Sequence, residues 1–145
     1  MPKYRCHVCK QYCEVPRYTF KGAEPTLCSV DCLKFYLKDS IYPWVARSFE
    51  INGRKSTHFR SNYEVLFAHF LQENGIKFQY EKRAVELGDY DFYIPDFFIP
   101  DSHLYVEIKG RLDRRGKHKV RNFLKQYPYS LLYLDGKALT RFKII

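Results

Sequence analysis

Between residues 93 and 110 the sequence YIPDFFIPDSHLYVEIKG sets two apolar runs, Phe97 to Ile99 and Leu104 to Ile108, around the turn-forming Pro100-Asp101-Ser102-His103. This pattern predicts a β-hairpin. A loop of residues 101–102 and one of residues 100–103 give the same register, with Ile99 opposite Leu104 and therefore Asp96 opposite Glu107. Side chains alternate along a strand, so Glu107 and Lys109 share one face while Val106 and Ile108 take the other. Upstream, Ser61-Asn62-Tyr63-Glu64 reads as a capping box that opens a helix running to about Asn74, with Gly75 as its stop. Val65, Leu66, Phe67, Phe70 and Leu71 give that helix its apolar face, and Glu64 shares helical spacing with Phe67, Ala68 and Leu71. Lys77 to Leu87 reads as a strand, with a turn near Gly88-Asp89. Downstream, Val120, Phe123, Leu124 and Tyr127 recur at i, i+3, i+4 and i+7, which predicts an amphipathic helix ended by Pro128. Ser130 to Leu134 is a short apolar run suited to a buried strand, Asp135-Gly136 a turn, and RFKII a closing edge strand. From residue 61 the predicted order is helix, three strands, helix, strand.

All five cysteines fall within the first 32 residues. Cys6-x2-Cys9 is followed, after 18 residues, by Cys28-x3-Cys32. An odd, clustered set with no secretion signal ahead of it points to metal rather than disulfides, and two such pairs suit a tetrahedral structural zinc. Cys13 is read as a spare thiol or as a replacement for Cys9. Ser29 is placed to cap a helix carrying Leu33, Phe35, Tyr36 and Leu37. The stretch Cys28-Ser29-x-x-Cys32 followed by aromatics resembles the treble-clef fingers of the TRASH/MYM type over about residues 4 to 40. The expected division is therefore a zinc finger over 1–45, a basic linker over 46–60 and a second domain over 61–145. Trp44 is expected to pack the finger onto that domain, and Asn52-Gly53 to form a turn within the linker, beside Arg54, Lys55 and Arg60.

The predicted hairpin sets two carboxylates against each other on greasy strands. Like charges in cross-strand positions are destabilising, and a hard divalent cation such as Mg²⁺ is the natural counterion for carboxylate oxygens. Pro95-Asp96, ten intervening residues, then Glu107-Ile108-Lys109 resembles the signature of the PD-(D/E)XK nuclease superfamily. The flavour Tyr-x-Pro-Asp-Phe with Glu-x-Lys-Gly is similar to phage junction-resolving and transposon end-cleaving endonucleases. The resemblance implies an α/β, restriction-endonuclease-like αβββαβ core over about residues 61 to 135. It implies Mg²⁺ (or Mn²⁺) held by Asp96, Glu107 and the Ile108 carbonyl, with Glu64 joining from the helix and Lys109 acting at the scissile phosphate. Asp89 and Asp91 lie upstream and are also compatible with plain turn roles.

Composition narrows the partner. A formal net charge of +9, 46% hydrophobic residues and 18% aromatics describe a folded chain that favours polyanions. Lys109 to Lys125 holds eight Lys/Arg and a single acid, Asp113. Arg111, Arg114, Arg115, Lys117, Lys119 and Arg121 are thus the expected DNA contacts, to backbone phosphates rather than bases. The expected protein is intracellular and soluble, in the cytoplasm or at a nucleoid, compatible with a phage or mobile-element origin, and acts on duplex or branched DNA. No segment is long and apolar enough to span a membrane, and a homodimer is compatible with the reading. The alternative is a non-catalytic nucleic-acid-binding or host-interaction module that retains a nuclease fold.

Overall fold

In the computed structural model, residues 3–14, 26–39, 48–51, 59–88, 91–108, 113–128 and 130–145 are described. Among them the chain is mixed α/β, with nine strands and four helices. The strands are β1 (Lys3–Arg5), β2 (Tyr12–Glu14), β3 (Phe49–Glu50), β4 (Gln79–Tyr80), β5 (Arg83–Gly88), β6 (Asp91–Tyr93), β7 (Phe97–Ile99), β8 (Leu104–Ile108) and β9 (Leu131–Leu134). The helices are α1 (Val30–Asp39), α2 (Asn62–Glu73), α3 (Arg114–Gln126) and α4 (Gly136–Arg141).

The predicted hairpin forms β7 and β8 with Phe97 opposite Val106, Phe98 opposite Tyr105 and Ile99 opposite Leu104, around a loop of residues 100–103. It is the centre of a four-stranded sheet in the order β4-β7-β8-β9. β9 runs parallel to β8, with Glu107 opposite Tyr133 and Ile108 opposite Leu134. A parallel neighbour needs a long crossover, and α3 supplies it. All five residues of β8 are buried, because both faces of the sheet are covered. On one face Phe97, Ile99, Leu104, Val106, Ile108, Leu132 and Leu134 pack with α2 and α4; on the other Phe98, Tyr105, Leu131 and Tyr133 pack with Val120, Phe123 and Leu124 of α3. The two-residue side-chain period thus divides one strand sequence between two cores.

Phe97 is the hub of the first core. Its fully buried ring lies 5.1 Å from Phe67, 5.5 Å from Phe78 and 5.3 Å from Tyr80, all edge-on, the favourable geometry for aromatic pairs. The cysteine segment belongs to the same core: Cys6, Leu27, Cys32, Leu33, Tyr36 and Leu37 form one buried cluster with Phe67, Leu71, Leu139 and Phe142. Arg141 of α4 adds a 2.6 Å hydrogen bond to the Leu27 carbonyl.

Several expectations are corrected. RFKII is not a strand: Asp135 caps α4, its side chain accepting from the Ala138 N–H, and the chain after Phe142 is coil and turn. A carboxylate before three good helix formers outweighs the turn tendency of Asp-Gly. The strand expected over Lys77 to Leu87 is two strands broken at Glu81, whose φ of 49° lies in the left-handed region. Five short strands therefore stand where three were expected. Of the expected linker, residues 48–51 hold β3, which pairs with β5 as Phe49 opposite Ala84. Arg83 anchors it with hydrogen bonds of 2.9 Å to the Ser48 hydroxyl and carbonyl. Phe35 does not share the buried face of α1 but is exposed. Trp44, Asn52-Gly53, Arg54, Lys55 and Asp89 lie outside the described residues. No helix among the described residues is long and apolar enough to cross a membrane.

Candidate functional site

Among the described residues, two groups of side chains have the donor chemistry and closeness to hold a metal. The first is Cys6, Cys9, Cys28 and Cys32, whose sulfurs all lie within 4.8 Å of one another. The β1–β2 hairpin presents Cys6 and Cys9, and Cys28 and Cys32 flank the start of α1, where the Ser29 hydroxyl accepts from the Cys32 N–H at 3.3 Å. The Cys9–Cys28 and Cys28–Cys32 sulfur separations are 3.4 and 3.6 Å. Burial works against ionising Cys6, yet the backbone N–H groups of Cys9, Cys28 and Val8 outweigh it and bring the thiol down to about 6. Cys28 is pushed up to about 12, by burial and then by the neighbouring thiols. One sulfur of the cluster is thus prepared as a thiolate by backbone donors. Cys13 lies opposite Tyr4 in the β1–β2 ladder and is not part of the set.

The second group is Glu64, Glu81 and Asp96, all buried, with a carboxylate oxygen from each within 4.8 Å of the others. The capping box holds Glu64: its N–H donates to the Ser61 hydroxyl at 3.2 Å, which returns a 3.1 Å hydrogen bond to Glu64 Oε1. Glu64 is 1% exposed because the first turn of α2 faces the sheet. The Tyr80 hydroxyl donates to Glu64 Oε2, and burial together with that carboxylate raises the phenol far above its ordinary value. Asp96 sits at the bend before β7, its Oδ2 accepting the Ile108 N–H at 2.8 Å.

Glu107 is buried on β8 but lies outside this trio. The paired register ends at Phe97 opposite Val106, with Asp96 in the bend beyond it, and alternation from Tyr105 places Glu107 on the α3 face of the sheet. There the Tyr93 hydroxyl donates to Glu107 Oε2 at 2.5 Å. Tyr93 is raised well above the usual phenol range, by burial first, then by Glu107 and Asp96. Tyr133 is pushed up to about 12 by burial and by Asp135, Glu107 and Asp96. Both tyrosines therefore feel both carboxylates, with Asp96 between Glu64 on one side of the sheet and Glu107 on the other. Neutral phenols at these positions are hydrogen-bond donors that hold carboxylates in place.

Of the predicted site residues, Glu64 and Asp96 come together, Glu107 flanks them, Ile108 binds Asp96 through its backbone, and Lys109 and Arg111 lie outside the described residues. Sequence reasoning missed Glu81, Tyr80 and Tyr93. A signal for Glu81 was present: Phe78 and Tyr80 are an even-numbered apolar pair, Val85 and Leu87 an odd-numbered one, so the strand has to break between them. Asp91 serves the fold, capping the Phe92 N–H at 3.0 Å and pairing with Lys119 at 3.5 Å. Arg114, Arg115, Lys117 and Arg121 are exposed on α3, whereas Lys119 is tied to β6 through the Phe92 carbonyl at 2.8 Å. Set against protein-family models, curated proteins and solved structures, the chain matches none of them.

Proposed function

We propose that the protein is a metal-dependent endonuclease acting on duplex or branched DNA, with a PD-(D/E)XK-like core and a zinc-binding finger of the treble-clef type. The observation that carries this reading is the buried meeting of Glu64 and Asp96 beside the hairpin in which Glu107 follows. Buried carboxylates crowded together are costly without a counter-charge. An all-oxygen donor set fits Mg²⁺ or Mn²⁺, with Asp96 as the shared holding group, joined by Glu64 from one side of the sheet and by Glu107 and the Ile108 carbonyl from the other. When bound, such an ion lowers the pKa of water and offsets charge on a phosphate. The chain's own groups orient the site: Tyr80 fixes Glu64, Tyr93 fixes Glu107, and the Ile108 N–H fixes Asp96. Lys109, two residues beyond Glu107 in the sequence, is assigned to the scissile phosphate, where an ammonium stabilises developing charge. Incubation with plasmid and with branched DNA, with and without Mg²⁺, and mapping of the ends, is the test. Intact DNA of both kinds under every metal condition rejects the reading.

The four thiols fit zinc. With Zn–S of about 2.3 Å a tetrahedral edge is about 3.8 Å, close to the 3.4 and 3.6 Å sulfur separations. Purified protein is expected to contain one zinc per chain, and Cys13→Ser to leave that content unchanged. Elemental analysis of the two proteins decides the ligand set, and loss of zinc from the serine variant rejects it.

Helix α3 is assigned the grip on DNA. Neutral substitution of Arg114, Arg115, Lys117 or Arg121 is expected to weaken binding about equally across sequences and to lower the salt slope by roughly 1 each. Lys119→Ala is expected to change that slope least, because its ammonium is already held by Asp91 and the Phe92 carbonyl. Titrations at several salt concentrations measure this. A sequence-dependent loss would show base reading instead.

A further inference from the structure

We propose that Arg60 is a phosphodiester-binding residue of the site and that Glu81 is the positioning residue that seats it. The inference rests on the nuclease reading for where the phosphate lies. Arg60 directly precedes Ser61, the N-cap of α2, and its backbone N–H donates at 3.2 Å to the same Tyr80 hydroxyl that donates to Glu64. Its position is therefore tied by a single phenol to the carboxylate trio. Its Nε lies 3.0 Å from Glu81 Oε1, and Glu81 belongs to that trio. The pair is asymmetric: the Arg60 side chain is 62% exposed and that of Glu81 only 6%. An ion pair with one end so exposed adds little to stability. Glu81 nevertheless keeps a left-handed backbone, with φ of 49°, its N–H bound to the Asp96 carbonyl at 2.9 Å. For a residue other than glycine that conformation is disfavoured and is retained when its surroundings impose it.

The chemistry suggests what the arrangement is for. Guanidinium carries five N–H donors in a rigid fork that matches phosphate oxygens, and it is never deprotonated. With Nε turned to Glu81 and the side chain largely exposed, the guanidinium is placed to meet an anion beside the carboxylate trio. Three carboxylates and one guanidinium leave a formal charge of −2, which one divalent cation neutralises. A phosphodiester arriving there meets cations on two sides, and Glu81 keeps the arginine from swinging into solvent. In this arrangement Glu81 binds arginine rather than metal, which separates it in role from Glu64 and Asp96.

The sign of one measurement separates the roles. DNA binding is measured in Ca²⁺ for wild type, Arg60→Ala, Glu81→Gln and Glu81→Gly, with Ca²⁺ affinity measured separately for each. Glycine relieves the left-handed backbone, so that variant removes the carboxylate without straining the fold. Arg60→Ala is expected to weaken DNA binding about 10-fold, as for a lost charge-assisted hydrogen bond, and to lower the salt slope by roughly 1. Both Glu81 variants are expected to weaken DNA binding in the same direction, by about 3-fold or more, with Ca²⁺ affinity within about 2-fold of wild type. If Glu81 is only another negative charge near the phosphate, removing it raises DNA affinity, and the inference is overturned. If Glu81 is a metal ligand, its variants lose Ca²⁺, which overturns it equally. Arg60→Ala with wild-type affinity and salt slope, or wild type that binds no DNA, also overturns it. A wild type that binds DNA with these dependences but cleaves none under Mg²⁺ or Mn²⁺ rejects the nuclease reading alone.

Discussion

Stripping the zinc proposed for the four thiols, or replacing Cys32 by serine, is expected to unfold the whole chain and not merely to loosen its N-terminal segment. Structural zinc contributes on the order of 10–16 kcal/mol in isolated finger peptides at neutral pH. The net stability of an ordinary domain is about 5–15 kcal/mol, so losing the metal is enough to remove it where the two are joined. They are joined here: Cys6 and Cys32 are buried in one cluster with Phe67, Leu71, Leu139 and Phe142, and Arg141 bonds to the Leu27 carbonyl. Removing the metal would free four thiols next to that cluster and withdraw the wall against which α2 and α4 pack. Circular dichroism melts with and without a strong zinc chelator provide the check, with Cys13→Ser as the control that should behave as wild type. A chelated protein whose α/β core still melts cooperatively at the wild-type temperature would show that the cysteine segment is separable.

Under the proposed nuclease function, Glu107→Gln is expected to lower cleavage by on the order of 10²–10³-fold, while leaving stability in chelator equal to wild type or higher. Loss of one preorganised electrostatic group from a catalytic centre is a change of that size. Glu107 is 4% exposed and accepts a 2.5 Å hydrogen bond from Tyr93, and a glutamine carbonyl can accept the same bond. The substitution thus removes a buried charge near Asp96 without orphaning the phenol, so the repulsion disappears and the hydrogen bond stays. A metal that binds only the native state should stabilise wild type by about 2.7 kcal/mol at a hundred times its dissociation constant, and the glutamine variant much less. Melting of both proteins in chelator, Mg²⁺ and Ca²⁺ reads these effects together. A variant less stable than wild type in chelator, with neither protein shifted by metal, would falsify the carboxylate site. Glu64→Gln is the harsher companion, because Ser61 and Tyr80 donate to different oxygens of Glu64 and an amide keeps only one of them.

Sequence alone determined the features written in local periodicity. The β7–β8 register followed from where Pro100 to His103 interrupts two apolar runs, because a one-residue slip would turn every side chain to the wrong face. Ser61 and Glu64 announced the start of α2, and the helical spacing of Glu64 with Phe67, Ala68 and Leu71 set it beside the apolar face. The two cysteine pairs and the amphipathic α3 were legible for the same reason, since each is specified within a single element. What only the tertiary structure decided was how elements meet. Glu81 entered the trio because β4 and β5 break around a left-handed residue, a conformation fixed by the hydrogen bond from its N–H to Asp96 and not by its own preference. Tyr80 and Tyr93 became carboxylate partners across 16 and 14 residues of chain, separations that no local pattern records. The six residues of α4 were too few to show a helical period, and β3 is two residues held by Arg83, so both depended on what they pack against. Glu107 was legible as an acid within an apolar strand and Glu64 as one beside an apolar helix face, but their separation by the sheet was not. Alternation says that a strand has two faces; which neighbour covers each face is settled only when helices dock.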